Sequence, residues 1–391
     1  MSYLKTNNKN ECCGCSACAD ICPVGCIKMS EDEDFFKYPV VNKDKCLDCG
    51  KCFSACPVLN SEKTKNSVID DEAFSFVAED KELIKGSSSG GAFSTIMDRF
   101  FEVSNNAVVV GAAFEGTKVR HKSFDNRADA ELLKKSKYVQ SNADGIYKTV
   151  KNDLEHNKMV LFSGTPCMVA ALKAFLGKDY DNLTTIDIVC HGVPSQSVFS
   201  KYLDELMYTH NSKVVNATFK IKKGFETESP NPRTADFSFE NAKTINLDIS
   251  GSEYLYGFYH NIFLRPSCYN CKFATPERPG DITLGDYWGI EKINNNLNSK
   301  NGVSLVRFNT EKGKEFIDTL EQSGQLSITS YEFACDENYQ LRKPAKAHRN
   351  KDKFFVLLKE GCSVMDAVNI CKKPDKLIVR IIRKIKRVLK A

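Results

Sequence analysis

A cysteine spacing that occurs twice constrains this chain more than any other feature. Cys12, Cys15, Cys18 and Cys22, followed by Pro23, read C-x2-C-x2-C-x3-C-P, and Cys46, Cys49, Cys52 and Cys56, followed by Pro57, repeat the run at an offset of 34 residues. Three thiolates two residues apart can wrap a tight loop around one face of an iron-sulfur cubane, while the fourth cysteine opens a helix and reaches the other cluster. The spacing therefore predicts two 4Fe-4S clusters with crossed ligands. Cys12, Cys15, Cys18 and Cys56 would hold the first, and Cys46, Cys49, Cys52 and Cys22 the second. Zinc ribbons and fingers are the competing reading, but they use two C-x2-C pairs, whereas each run here offers three close thiolates and a C-P. Cys13 and Cys26 fall outside the spacing and are read as packing thiols.

Ten of the 17 cysteines lie in the first 60 residues. The start of the chain has no apolar leader, and the longest apolar stretch, Ala107 to Phe114, is far below the ~20 residues that span a bilayer, which predicts a cytoplasmic location. In a reducing compartment so many cysteines argue for metal or redox chemistry rather than disulfides. The net charge of +5 is uneven, because residues 372–391 carry nine Lys/Arg against one Asp and leave the body mildly acidic. That pattern does not suit nucleic-acid binding, which spreads basic and aromatic residues over a folded face. Within residues 375–390, Leu377, Ile378, Ile381, Ile382, Ile385, Val388 and Leu389 recur at helical intervals among basic residues. Such a helix suits either a peripheral contact with an anionic membrane or packing on protein.

The pattern along the chain predicts an α+β ferredoxin-like two-cluster domain (1–60), a polar linker (61–72), a larger α/β domain (73–335) and a C-terminal extension (336–391) ending in the amphipathic helix. Within the α/β domain, sections 73–155 and 156–335 are distinguished. MVLFSG reads as a strand, TPCMVAALKAFLG as a helix closed by Gly177, and TTIDIVC as the next strand. Cys167 then sits at a helix N-terminus, where Thr165 is a natural cap and the dipole should lower its pKa. Cys190 occupies the matching place in the next unit, so in a parallel sheet both fall at the carboxyl edge, where α/β proteins bind ligands. Cys268-x2-Cys271 adds a pair, and the four thiolates make a third 4Fe-4S site conceivable. The spacing leaves it open, since Cys167 and Cys190 could be buried small hydrophobes and Cys268/Cys271 a redox dithiol or half a zinc site.

The first run resembles, with its repeat, bacterial two-cluster ferredoxins over residues 8–60. LFSGTPCMVAAL, IDIVCHGVPS, CYNCKFA and RPGDITLGDYWGI resemble the coenzyme F420 hydrogenase/dehydrogenase beta-subunit family, and SSSGGAFS resembles its amino-terminal section, over roughly residues 73–335. The resemblance implies a third 4Fe-4S cluster on Cys167, Cys190, Cys268 and Cys271, and a flavin, FAD, in the α/β domain. The loop Ser88, Ser89, Gly90, Gly91, with small side chains and free N–H groups ahead of a helix, is the expected flavin site. His191 is the candidate proton donor, though a lone histidine serves equally as a structural hydrogen-bonder. The expected function is an iron-sulfur flavoprotein oxidoreductase acting on a small-molecule redox substrate, with a ferredoxin or a hydrogenase/dehydrogenase subunit as electron donor. A stand-alone reductase in glycan or exopolysaccharide assembly is the first reading. A subunit that reduces or oxidises coenzyme F420, and a non-catalytic electron carrier, are the alternatives.

Overall fold

A computed structural model describes residues 3–220, 222, 233–293 and 301–372. The first element of regular structure between the cysteine runs is an antiparallel hairpin, β1 (Ile27–Glu31) with β2 (Lys37–Val41). Each run turns through two left-handed residues at matching positions, Gly14 and Ser16 at φ 69° and 67° and Asp48 and Gly50 at φ 48° and 72°. The repeat in sequence is thus a repeat in backbone conformation.

The body is built on an eight-stranded sheet in the order β13-β3-β12-β11-β7-β6-β4-β5. Its strands are β3 (Glu72–Ala78), β4 (Ala107–Glu115), β5 (Lys118–Phe124), β6 (Met159–Gly164), β7 (Leu183–Ile188), β11 (Ile282–Asp286), β12 (Ser304–Phe308) and β13 (Gly324–Ser330). The central strands β4, β6, β7 and β11 run parallel, and antiparallel strands flank them. The apolar run at the start of β4 follows from burial on both faces. Val108 and Val110 pack with the helices Ile146–Glu155 and Pro166–Leu176, while Ala107 and Val109 pack with the helix Ala92–Val103 on the other face. Three further strands, β8 (Val214–Phe219), β9 (Thr234–Phe239) and β10 (Thr244–Asp248), form a separate antiparallel sheet beside the helix Gln196–His210.

Two stretches differ from expectation. Residues 61–72, read as a linker, are seated on the body because their polar groups find backbone partners there. Ser61 and Thr64 are buried, Asn66 donates to the Arg278 and Gly280 carbonyls, and Lys173 donates to the Asn66 side chain. Residues 336–372 are likewise integral, since Phe354, Phe355, Val364 and Val368 join one core cluster with Phe36 and Tyr38 of the hairpin. No helix among the described residues is long and apolar enough to cross a membrane. The basic stretch 375–390, and with it the expected membrane contact, lies outside the described residues.

Candidate functional site

The folded chain brings Cys56 from the second run beside Cys12, Cys15 and Cys18 of the first. Burial and then the neighbouring thiols, Cys56 among them, push Cys12 and Cys18 upward in pKa; Cys15, bonded by Cys13, is raised by burial and by Cys18 and Cys56. Four buried thiols that repel one another's charge are the donor set that a polynuclear cation relieves. The other group is wetter. Burial raises Cys52, with Cys49 and Cys46 adding to it, but Cys49 itself is exposed and Cys46 is only half-buried. Cys22 lies 3.4 Å, sulfur to sulfur, from Cys26, which in turn contacts Cys46.

A third group forms at the carboxyl edge of the sheet, where β6 and β7 end. Cys167 and Cys190 meet Cys268 and Cys271, the latter two on a short 3-10 turn, Pro266–Asn270, and the residue after it. Burial and then Cys167 and Cys271 push Cys190 up to about 12, and burial and then Cys167 push Cys271 up to about 11. Cys167 departs from its expected behaviour: contact with Cys13 and burial raise it, outweighing the helix N-terminus. The Thr165 hydroxyl, expected as a helix cap, lies 3.2 Å from the Cys167 sulfur instead.

The loop after Cys271 is locked onto β7. Arg278 Nη2 lies 2.6 Å from Asp187 Oδ1, both fully buried, and Asp187 also accepts from Gly280 N and Thr283 Oγ1. Asp281 accepts from Thr185 N and Oγ1 at 2.8 and 2.7 Å. These acids in RPGDITLGD are therefore structural, with every carboxylate oxygen used to hold β11 against β7 close to Cys190.

Cys167 and Cys190 face a cavity of about 360 Å³. Its walls include Ser87–Ser89, Lys134–Gln140, Phe258, Tyr259, Asp286 and Trp288. Lys137 is drawn into a turn, donating to the carbonyls of Leu132, Leu133, Lys134 and Lys135, and burial pushes it down to about 7. Lys220 pairs with Asp286 and lies 5.9 Å over the Trp288 ring. Of the expected flavin residues, Ser88, Ser89 and Gly91 line this cavity and Gly90 does not. Gly90 wedges between strands, where a Cβ would come within 2.1 Å of the Phe76 carbonyl oxygen, so its glycine serves the sheet. His191 lines the cavity but both ring nitrogens are engaged. Nε2–H donates to the Phe258 carbonyl at 3.1 Å, so Nδ1 accepts from Gln340 at 3.1 Å, and burial lowers the ring's pKa.

Two cavity residues escaped the sequence reading. His121 is buried with Nδ1 2.8 Å from Ser141 Oγ, its Nε2 is without a hydrogen-bond partner, and burial pushes its pKa down to about 4. Cys13 contacts both Cys15 of the first group and Cys167 of the third, and lines the large cavity as well as the cleft beside Cys12, Cys15, Cys18 and Cys56. A histidine in an ordinary strand carries no local motif. Cys13 did carry a signal, its immediate neighbourhood to Cys12, but the cluster spacing drew attention past it.

A mixed α/β chain with three groups of buried or half-buried cysteines converging on one cavity defines an iron-sulfur electron-transfer protein of oxidoreductase type. The comparisons agree. Residues 11–60 match a 4Fe-4S dicluster domain, and residues 157–333 belong to the family described as the C terminus of the coenzyme F420 hydrogenase/dehydrogenase beta subunit. The family match begins later than the likeness over 73–335 anticipated, and residues 61–156 fall in neither match. No curated protein matches the chain. Among 13 matching chains of solved structures is one from the F420-reducing NiFe hydrogenase complex of Methanosarcina barkeri, studied by xenon derivatization. It is 16% identical, with 78% of this chain and 90% of that chain covered and a TM-score of 0.44.

Proposed function

We propose that this chain is the electron-transferring subunit of a hydrogenase- or dehydrogenase-type complex and exchanges electrons with a small organic carrier of the coenzyme F420 kind. The family match over residues 157–333 favours this reading over a stand-alone reductase in glycan assembly. In this reading Cys12, Cys15, Cys18 and Cys56 hold one 4Fe-4S cluster, Cys46, Cys49, Cys52 and Cys22 a second, and Cys167, Cys190, Cys268 and Cys271 a third. FAD would occupy the cavity. Bound there, the clusters supply one-electron transfer and the flavin pairs two such steps into one.

The observation that carries the proposal is that Cys13 touches the first and third thiol groups while Cys13, Cys167 and Cys190 all line one cavity. The cavity fits an anionic, planar ligand. Lys134 and Lys135 sit in one wall, Tyr138, Phe258, Tyr259 and Trp288 offer aromatic surface, and the hydroxyls of Ser88 and Ser89 frame the entry to the helix Ala92–Val103. His121 Nε2 would make its missing hydrogen bond to that ligand, a role better suited to it than to the fully bonded His191.

Anaerobic purification of the full chain, with iron, sulfide and flavin counted per chain, tests the reading. About twelve irons and one flavin are expected, four irons for each four-cysteine site. Cys167→Ser with Cys271→Ser should remove about four irons and leave the amino-terminal pair intact. Ser88→Trp, filling the cavity, should lower flavin content without lowering iron. Zinc in place of iron, or an unchanged iron count in the double variant, would overturn the assignment.

A further inference from the structure

Arg265 and Arg278 are both fully buried, and only one has an anionic partner in hand. Arg278 is paired with Asp187. Arg265 donates through Nε to the Cys12 carbonyl at 2.7 Å, through Nη1 to Gln140 Oε1 at 3.1 Å and through Nη2 to the Lys37 carbonyl at 2.8 Å, all neutral oxygens. Its guanidinium also lies over the Tyr38 ring, 4.4 Å from the centroid. Among the described ion pairs none includes Arg265, and its remaining contact is Nη2 to the Cys12 sulfur at 3.6 Å. A guanidinium taken out of water is strongly penalised unless an opposite charge compensates it. The thiolates of the first site are the anions within reach.

The second site presents the opposite surroundings at the equivalent cysteine. Cys46 Sγ lies 3.5 Å from the carboxylate oxygen of Asp48, and the loop around it is open to water. Net charge and hydrogen bonds to the ligating sulfurs are what a protein uses to set the potential of an iron-sulfur site. A fixed cation in a dry setting acts at low dielectric, whereas a wet carboxylate is screened, so the Arg265 contact dominates the difference. We infer that Arg265 is the counter-cation of the first 4Fe-4S site, and that it makes this inner site, beside Cys13 and Cys167, more readily reduced than the outer one. An electron shared by the amino-terminal pair would then rest on the side facing the cavity.

The inference rests on the iron-sulfur reading above. Iron content tests that reading, and reduction potentials of the loaded chain test this one. The measurement is a redox titration of anaerobic full-length protein followed by electron paramagnetic resonance. Arg265→Gln should shift the higher of the two amino-terminal potentials downward and leave the lower one in place, while Arg265→Lys, which keeps the charge, should shift it less. Should Arg265→Gln fail to load the first site, Asp48→Asn at the exposed loop decides the matter, because it should raise the lower potential only. If Asp48→Asn instead moves the higher potential, or if both arginine variants load fully and leave both potentials unchanged, the inference is overturned.

Discussion

The two cysteine runs have the same spacing and the same left-handed turns, yet the folded chain treats them as opposites. The first is wrapped by the body, with Gly14 against Arg265 and Gln140, Cys13 against Cys167, and Asp20 accepting from Gly145 N at 2.9 Å. The second keeps Leu47, Asp48 and Cys49 in solvent. Position for position, Cys13 corresponds to Leu47 and Gly14 to Asp48. Duplication supplied two equivalent ligand loops, and packing made one an interior junction and the other an outer face.

The hardest test of that contrast is the crossing of ligands. Cys56→Ser should strip the first site and Cys22→Ser the second, each at a loss of about four irons, and resonance spectra should identify which signal vanishes. Loss of the second site in Cys56→Ser would dissolve the distinction between inner and outer groups.

Next in size is the turn itself. A Cβ on Gly14, at φ 69°, would sit 2.6 Å from Arg265 Nη1, whereas Asp48 already carries a side chain at φ 48° into open solvent. Gly14→Ala should destabilise the chain by about 2–4 kcal/mol, and Asp48→Ala by under about 1 kcal/mol. Thermal unfolding of the two variants side by side checks the difference.

Acid should weaken the inner side first. His121 is held neutral, with its folded pKa near 4 against an ordinary value near 6.5, so the unfolded chain binds its proton more readily. Stability from this group is complete above about pH 6.5 and is lost as pH falls toward 4, by roughly 3 kcal/mol at most. His121→Gln should flatten the pH dependence of the melting temperature in that window; an unchanged slope would mean the ring is not held neutral by burial.

The smallest effects should separate the paired residues Cys13 and Leu47. Cys13→Ser places a hydroxyl between two buried sulfurs and should cost about 1–2 kcal/mol, while Leu47→Ser, at a side chain 64% exposed, should stay within about 0.5 kcal/mol. Equal losses in the two variants would show that Leu47 is covered in the working protein, as a docked electron partner would cover it.

Local spacing by itself determined how many thiol groups the amino-terminal segment can form, the turns that shape them, and the strand-helix units that deliver Cys167 and Cys190 to one sheet edge. Those features depend on residues a few positions apart, and a cubane's geometry or a helix's period can be read directly from such intervals. Tertiary structure alone decided that Arg265 reaches Cys12 across 253 residues, that Cys13 stands between two thiol groups, and that His121 faces a cavity with an unpaired nitrogen. It also decided that residues 61–72 are seated and that 336–372 complete the core around Phe36 and Tyr38. A buried charge or an unpaired nitrogen takes its meaning from what surrounds it in space, and those surroundings come from segments with no shared motif.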